Sequence, residues 1–274
     1  MYTEYQPSHL LVPYIDSYWE FKGNPDYGMR IHILPDGCTD FIFTLGEVAN
    51  AVEEGSLIMQ PYRSYFVGPM TKHSELVTYT ESIHMFGVRF LPCGLSCFTN
   101  LPLHEFVNSR VSTNEMKAVF DDTFIEKLGE QKHVTDRIRV VEEYLLAYLA
   151  RHYQPADSHV AMAVNMINHS KGKRSVRSLM DDVCLCQRHF ERKFKHYTGF
   201  TPKEYSRIVK FKNAVELLRT TTSANLLTTA VDAGYYDLAH FSKEIKSMSG
   251  NTPASFLSLT VPEETTLTYI EPQR

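Results

Sequence analysis

HFERKFKHYTGFTP, residues 189–202, returns as HFSKEIKSMSGNTP, residues 240–253. His189-Phe190, Lys195, Gly199 and Thr201-Pro202 recur as His240-Phe241, Lys246, Gly250 and Thr252-Pro253, each 51 residues later (240 − 189 = 51). The aromatic that follows each proline returns too, as Tyr205 and Phe256. Phe190 with Phe194, and Phe241 with Ile245, are four apart, the spacing of a helix face turned to a core. Gly199 and Gly250 sit where such a helix ends in a left-handed residue. Pro202 and Pro253 suit the first turn of the next helix. Gly234 falls where two short helices need a tight turn. The stretch therefore reads as helix, turn, helix, stop, written twice.

Working outward, Val160, Val164 and Ile167 line one helix, which Gly172 closes. Short helices are expected at 176–183 and 186–197. A long one at 203–219 carries Tyr205, Ile208, Phe211, Val215 and Leu218 on one side. Shorter ones follow at 227–233, 238–248 and 254–259. Upstream the period differs. Met29, Ile31 and Ile33 alternate with Arg30 and His32, as in a half-buried strand, and Pro35-Asp36-Gly37 makes a turn. Apolar runs at 41–45, 65–67, 76–79 and 83–91 continue the strand pattern. Val134, Ile138, Val141, Leu145, Tyr148 and His152 then form a heptad-type seam, suited to a dimer interface or to packing on the strands.

The expected fold class is α+β. A β-rich, barrel- or sandwich-like N-terminal domain with C-terminal helices spans 1–153. A linker, 154–159, leads to an all-α domain, 160–260, of two helix-turn-helix units joined by a long helix. A tail occupies 261–274.

The chain has 274 residues, 43% of them apolar, enough for a real core. No apolar run approaches the ~18 residues of a membrane-spanning helix, and the N-terminus has no signal pattern, so the cytosol is the expected compartment. The net charge of −4 divides unevenly. Residues 160–260 hold 15 Lys and Arg against 8 Asp and Glu, which is +7, and the remainder carries −11. Such segregation suggests a nucleic-acid-binding part joined to one that is not, although a charged helix face is more often merely solvated.

The second helix of each pair is the reading element on this view. With Phe190 and Phe194 inward, Gln187, Arg188, Glu191, Arg192 and Lys195 face out. Arg pairs with guanine O6 and N7, and Glu accepts from cytosine N4. With Phe241 and Ile245 inward, the second outer face is Leu238, Ala239, His240, Ser242, Lys243 and Lys246, better suited to thymine methyls and phosphates. Lys171, Lys173 and Arg174 are candidate phosphate anchors, with Gln187, Lys195 and Lys246.

Residues 160–259 resemble the AraC/XylS-type DNA-binding domain. The second unit carries the resemblance: Thr229-Ala230, Gly234-Tyr235, Asp237, Phe241, Ile245-Lys246, Gly250 and Pro253. Met180 and Cys186 depart from the family's usual Ala and Ser, and a thiol is a poor helix cap. By position, the resemblance implies base contacts from Arg188, Glu191 and Arg192, and from Leu238, Ala239, His240 and Lys243. More loosely, Tyr18-Trp19, 34–40, 67–69 and 86–92 resemble an uncharacterised domain found ahead of such readers in bacterial regulators. That likeness implies sensing or dimerisation.

The five cysteines, Cys38, Cys93, Cys97, Cys184 and Cys186, are an odd set, unlike a disulfide framework. Reduced, half-buried thiols are expected, with Cys93 and Cys97 as a metal or redox pair in second place. His32, His73, His84 and His104 show no metal-ligand spacing, so no metal, cofactor or catalytic residue is expected. Trp19, Asp36, Asp40 and Arg89 are candidate ligand-pocket residues. A buried Arg89 needs an anionic partner, which Asp36 or Asp40 supplies. The expected function is a transcription regulator, not an enzyme. Its expected partners are double-stranded DNA and an unknown small-molecule effector, with a second copy of the chain and RNA polymerase as further candidates. The alternative is a DNA-binding protein whose N-terminal half is a Cys- or metal-based sensing or repair enzyme.

Overall fold

Phe41 and Phe43 leave one side of their strand and Ile42 the other, and the N-terminal half is layered on that alternation. The structure is a computed structural model, described here for residues 2–52, 55–116, 119–120, 122–152, 154–183, 185–220, 226–257 and 268–270. Its strands are β1 (Tyr2–Tyr5), β2 (Ile15–Gly23), β3 (Arg30–Ile33), β4 (Thr39–Thr44), β5 (Asn50–Ala51), β6 (Ser64–Val67), β7 (Ser74–Val77), β8 (Ile83–Phe90), β9 (Arg110–Ser112) and β10 (Thr268–Ile270). One sheet runs β1-β2-β8-β4-β6-β9 and the other β10-β3-β7-β5, with the pairings antiparallel throughout. Both sheets stay open, so the domain is a sandwich and not a closed barrel.

The larger sheet is covered on both faces. Tyr18, Phe41, Phe43, Phe66, Phe86 and Phe90 face helices α1 (Asp122–Gly129) and α2 (Val134–His152). Trp19, Phe21, Ile42, Tyr65 and Met85 face Ile31 and Leu76 of the smaller sheet. Val141 and Leu145 of the α2 seam are buried in the helix-side core, with Val134, Ile138 and Tyr148 against it, so the seam packs within its own domain. Buried Arg137 fixes α2 in place. It donates to the Leu128 and Gln131 carbonyls at 3.2 and 2.6 Å and to Glu20 on β2 at 3.0 Å.

Among the described residues the helices that follow are α3 (Ser158–His169), α4 (Val176–Val183), α5 (Gln187–Thr198), α6 (Pro202–Thr220), α7 (Leu226–Asp232), α8 (Leu238–Ser249) and α9 (Pro253–Leu257). They share one core, built on Phe190, Phe194, Phe211, Ala230, Phe241 and Ile245, which also takes in Leu34 and Cys93 from the N-terminal half. Asp157, inside the expected linker, caps α3 by accepting from the His159 and Val160 N–H groups.

Two expectations need amendment. Residues 261–274 are not all a tail, because β10 pairs with β3 and so returns the chain to the N-terminal sandwich. The strand pattern begins earlier than Met29, with β1 and β2. Cys184 and the rest of the expected tail lie outside the described residues.

Candidate nucleic-acid interface and adjoining cavity

Each helix-turn-helix pair is α4–α5 or α7–α8. On α5, Gln187, Arg188, Arg192 and Lys195 are exposed; Glu191 is half-buried and accepts from Gln187 Nε2 at 2.9 Å. On α8, Leu238, Ala239, His240, Lys243 and Lys246 are exposed. Tyr236, just before α8, is the most exposed large apolar side chain of the described residues at 92%, a position the sequence reading passed over. The start of α5 has no side-chain cap at Cys186, whereas Asp237 caps α8.

The three basic residues ahead of α4 have separate surroundings. Lys171 is exposed, has a left-handed φ of 52°, and lines a cleft between the two halves. Lys173 Nζ donates to the Asp232 carbonyl at 2.6 Å, binding the first unit to the turn of the second. Arg174 donates to Ser178 Oγ at 3.0 Å and pairs with Asp182. Further ties, which spacing alone did not reveal, come from α6. Arg207 grips Glu244 of α8 through two bonds, at 2.7 and 3.0 Å, and Lys210 donates to the Gly234 carbonyl at 3.2 Å. Lys193 of α5 donates to Asp157 at 2.6 Å.

Both recognition helices end against one loop of the N-terminal domain, residues 68–73. Gly199 and Gly250 have left-handed φ values of 83° and 77°. A Cβ at Gly199 would stand 2.6 Å from Pro69 Cγ, and one at Gly250 2.7 Å from His73 Nε2. The His73 N–H also donates to the Met248 carbonyl at 2.7 Å. Glycine thus serves twice at each site, ending the helix and admitting the loop. Beside this loop, the short 3-10 turn Leu103–Glu105 packs on α5 and brings the His104 and His196 rings within 6.4 Å.

The same loop closes a cavity between the sheets. Trp19, Asp40 and Arg89 line it, with Ile31, Met70 and Met85 among its apolar walls. Trp19 lies over Gly87, where a Cβ would be 1.9 Å from its ring, and its Nε1 donates to Asp40 at 2.7 Å. Arg89, only 6% exposed, stands 3.3 Å from Asp40, 3.4 Å from Asp36 and 3.2 Å from Glu4. Burial pushes the Asp40 carboxyl up to about 6 against the pull of Arg89, and the Asp36 charge adds to the rise. Asp36 lies behind Arg89 and lines the interdomain cleft instead, so the structure brings three of the four candidate pocket residues to one cavity. About 60 Å³ is open between the sheets. Val67, Met70 and Arg110 lead from it to a polar vestibule of about 340 Å³, lined also by Lys72, His73, Ser74 and Asn108.

Among the described residues, no group of three or more His, Cys, Asp or Glu is placed to hold a metal ion. Cys38, Cys93 and Cys97 are buried free thiols, and burial holds Cys38 and Cys93 well above the ordinary thiol value. None of the described helices is long and apolar enough to cross a membrane.

Comparison with known proteins matches both halves. Residues 3–112 match the family model of a domain of unknown function (DUF6597), and residues 179–258 that of a helix-turn-helix domain. No curated protein matches the chain. ToxT from Vibrio cholerae shares the fold at a TM-score of 0.51 and 9% identity, over 88% of this chain and 98% of that one. ToxT from Vibrio cholerae O395 bound to (E)-4-(8-methylnaphthalen-1-yl)but-3-enoic acid gives the same four values. A probable AraC family transcriptional regulator from Rhodopseudomonas palustris CGA009 is 20% identical over 37% of this chain and 95% of its own, at a TM-score of 0.34. The duplicated reader, the exposed faces of its second helices and the two family matches make one statement: the chain joins an N-terminal DUF6597 domain to a C-terminal helix-turn-helix DNA-binding domain of AraC/XylS type.

Proposed function

We propose that this regulator reads double-stranded DNA in the cytoplasm with α5 and α8 in successive major grooves, and that a small molecule held between its sheets adjusts that reading. Arg188, Glu191 and Arg192 on α5, and Leu238, Ala239, His240 and Lys243 on α8, contact base edges. Gln187, Lys195 and Lys246, with Lys171, Lys173 and Arg174, lie along phosphates. The grooves are about 34 Å apart along the duplex. The protein carries out no catalytic step on this reading. Nor does the reading require a second copy, since the α2 seam faces its own domain; contact with RNA polymerase is left to the exposed surface.

One observation carries the effector half of the proposal. Residues 68–73 touch the ends of both recognition helices through Pro69 and His73, and Met70 of the same loop lines the cavity. With only about 60 Å³ open, a larger apolar group must displace wall side chains, and Met70 is the wall residue carried by this loop. Lys72 and Arg110 in the vestibule suit an anionic head on that group. The ligand class is therefore an apolar carboxylic acid, in keeping with the butenoic acid bound by the ToxT relative.

The test uses Trp19, the one tryptophan of the chain. Selection from a random duplex pool supplies the operator, expected as two short blocks one helical turn apart. Medium-chain carboxylic acids are then titrated while Trp19 emission and operator affinity are followed. The reading expects both signals to move with one midpoint. Emission that stays constant through the series, with unchanged affinity, overturns the effector assignment; affinity that ignores salt overturns the DNA assignment.

A further inference from the structure

On the far side of Arg89 from the intersheet cavity, the cleft between the two halves contains a buried amide with no partner. Asn213 of α6 is 6% exposed, and its Nδ2 finds no acceptor. A buried donor left unmet destabilises the fold that holds it, and an acceptor brought by a ligand removes that cost. The same residue lines a cavity of about 370 Å³, within the range of small-molecule sites.

The walls are charged, and the charge differs from side to side. Asp16 and Asp36 come from the N-terminal domain; Lys171, Lys212 and Glu216 come from the reader. Asp36 is already matched, by Arg89 at 3.4 Å and the Cys38 N–H at 2.8 Å. The Tyr205 hydroxyl is engaged with Asn168 Oδ1 at 2.9 Å. That leaves a carboxylate on the N-terminal wall facing two ammonium groups and an unmet amide on the reader wall, with Glu216 one turn beyond Lys212.

We propose that this cleft binds a small zwitterion of α-amino-acid type, bridging the two domains. Its carboxylate takes the Asn213 amide and the two lysines, and its ammonium faces Asp16. Among the described residues, Asp16 accepts only from the Ser17 hydroxyl, at 3.3 Å. A plain anion leaves its charge without a cation, and a plain cation leaves Asn213 without an acceptor, so the pair of charges on one small molecule is what the walls select. This site is separate from the intersheet cavity and does not depend on the effector proposed there, but it shares Lys171 with the proposed phosphate contacts. Because the ligand touches both halves, its binding and DNA binding are coupled, each altering the other's affinity by the same factor.

Thermal melting of the full chain tests it. The proteinogenic amino acids are added singly at millimolar concentration, each beside its des-amino acid and its decarboxylated amine. At least one amino acid should raise Tm by several degrees, as mass action requires of a ligand that binds only the folded state, while neither fragment does. Asn213→Leu should remove the shift without lowering the unliganded Tm, since it deletes an unmet donor. Lys212→Met, at the half-buried rim, should weaken the amino acid by about tenfold. The proposal is overturned if no amino acid shifts Tm, or if the shift survives both substitutions. An equal shift from the des-amino acid also overturns it, and makes the cleft a site for plain anions.

Discussion

In the first helix-turn-helix unit, α5 begins at Cys186 with no side-chain cap and is held to Asp157 by Lys193. In the second, α8 begins at Asp237, whose carboxylate accepts from the His240 N–H at 2.7 Å, and is held to α6 by Arg207 on Glu244. Cys186 and Asp237 occupy one place in the repeat, and so do Lys193 and Glu244 (193 + 51 = 244). The second pair shows what duplication preserved. The position still ties its recognition helix to a preceding segment, but the charge is reversed and the partner reversed with it. Interior positions stayed apolar, Phe190 answering to Phe241 and Phe194 to Ile245, because the core excludes polar side chains. Outer positions diverged: Arg188 and Arg192 in the first copy answer to Ala239 and Lys243 in the second.

The widest test of this equivalence is in the core. Phe190→Ala and Phe241→Ala should each lower stability by about 3–5 kcal/mol in denaturant unfolding, because each leaves a buried cavity in the shared core. Each should shift a single cooperative transition; a transition that splits in two for either variant would mean the copies fold independently. On the outer faces the two should instead differ. Arg192→Ala should cost about 1–3 kcal/mol of DNA affinity and relax choice at one base pair. Lys243→Ala should cost about 1 kcal/mol, a single charged contact. Equal loss on all duplexes for Arg192→Ala would reassign it to a phosphate.

The same contrast explains what could be read in advance. The reader was legible because its signals are local. Four-residue aromatic spacing, a terminal glycine and an early proline locate each helix without knowledge of its neighbours. The N-terminal half was legible where polar residues alternate with apolar ones, as at Arg30 and His32, although of these two only Arg30 is exposed and His32 is buried. It was not legible at β2, where Tyr18 faces helices and Trp19 faces the second sheet, so that burial on both sides erases the period of two. Strand β10 was missed because its place depends on β3, far away in sequence. At the candidate sites, an exposed helix face follows from the inward pair, so the outer residues of α5 and α8 were accessible to reasoning. The loop 68–73, Met70 and Asn213 were not, since their roles arise only where two domains meet.

Capping offers a smaller test, with opposite signs in the two copies. Asp237→Ala should cost about 1 kcal/mol, the usual loss of a good N-cap, whereas Cys186→Ser should gain about 0.5–1 kcal/mol by supplying the absent oxygen. Denaturant midpoints read both. A stabilisation from Asp237→Ala would show that the carboxylate is not acting as a cap.

The finest distinction concerns Lys193, because its partner also caps a helix. Asp157 accepts from two backbone N–H groups and from Lys193. Burial alone would raise its pKa, but the Lys193 hydrogen bond and the backbone donors outweigh it and hold the carboxyl below its usual 3.8. Asn is as good an N-cap as Asp, so Asp157→Asn keeps the cap and removes the negative charge that faces Lys193. A depressed folded pKa means the unfolded chain binds the proton more readily. The stability it contributes is therefore complete above the unfolded value and disappears as pH falls through the folded one. Wild type should exceed Asp157→Asn by at most about 1 kcal/mol at neutral pH, since Lys193 is partly exposed and solvent screens the pair. The gap should close as pH drops below 3.8 and shrink in high salt. A gap independent of pH would assign the effect to the cap, and the reversal of charge between the two copies would then have no bearing on how α5 is held.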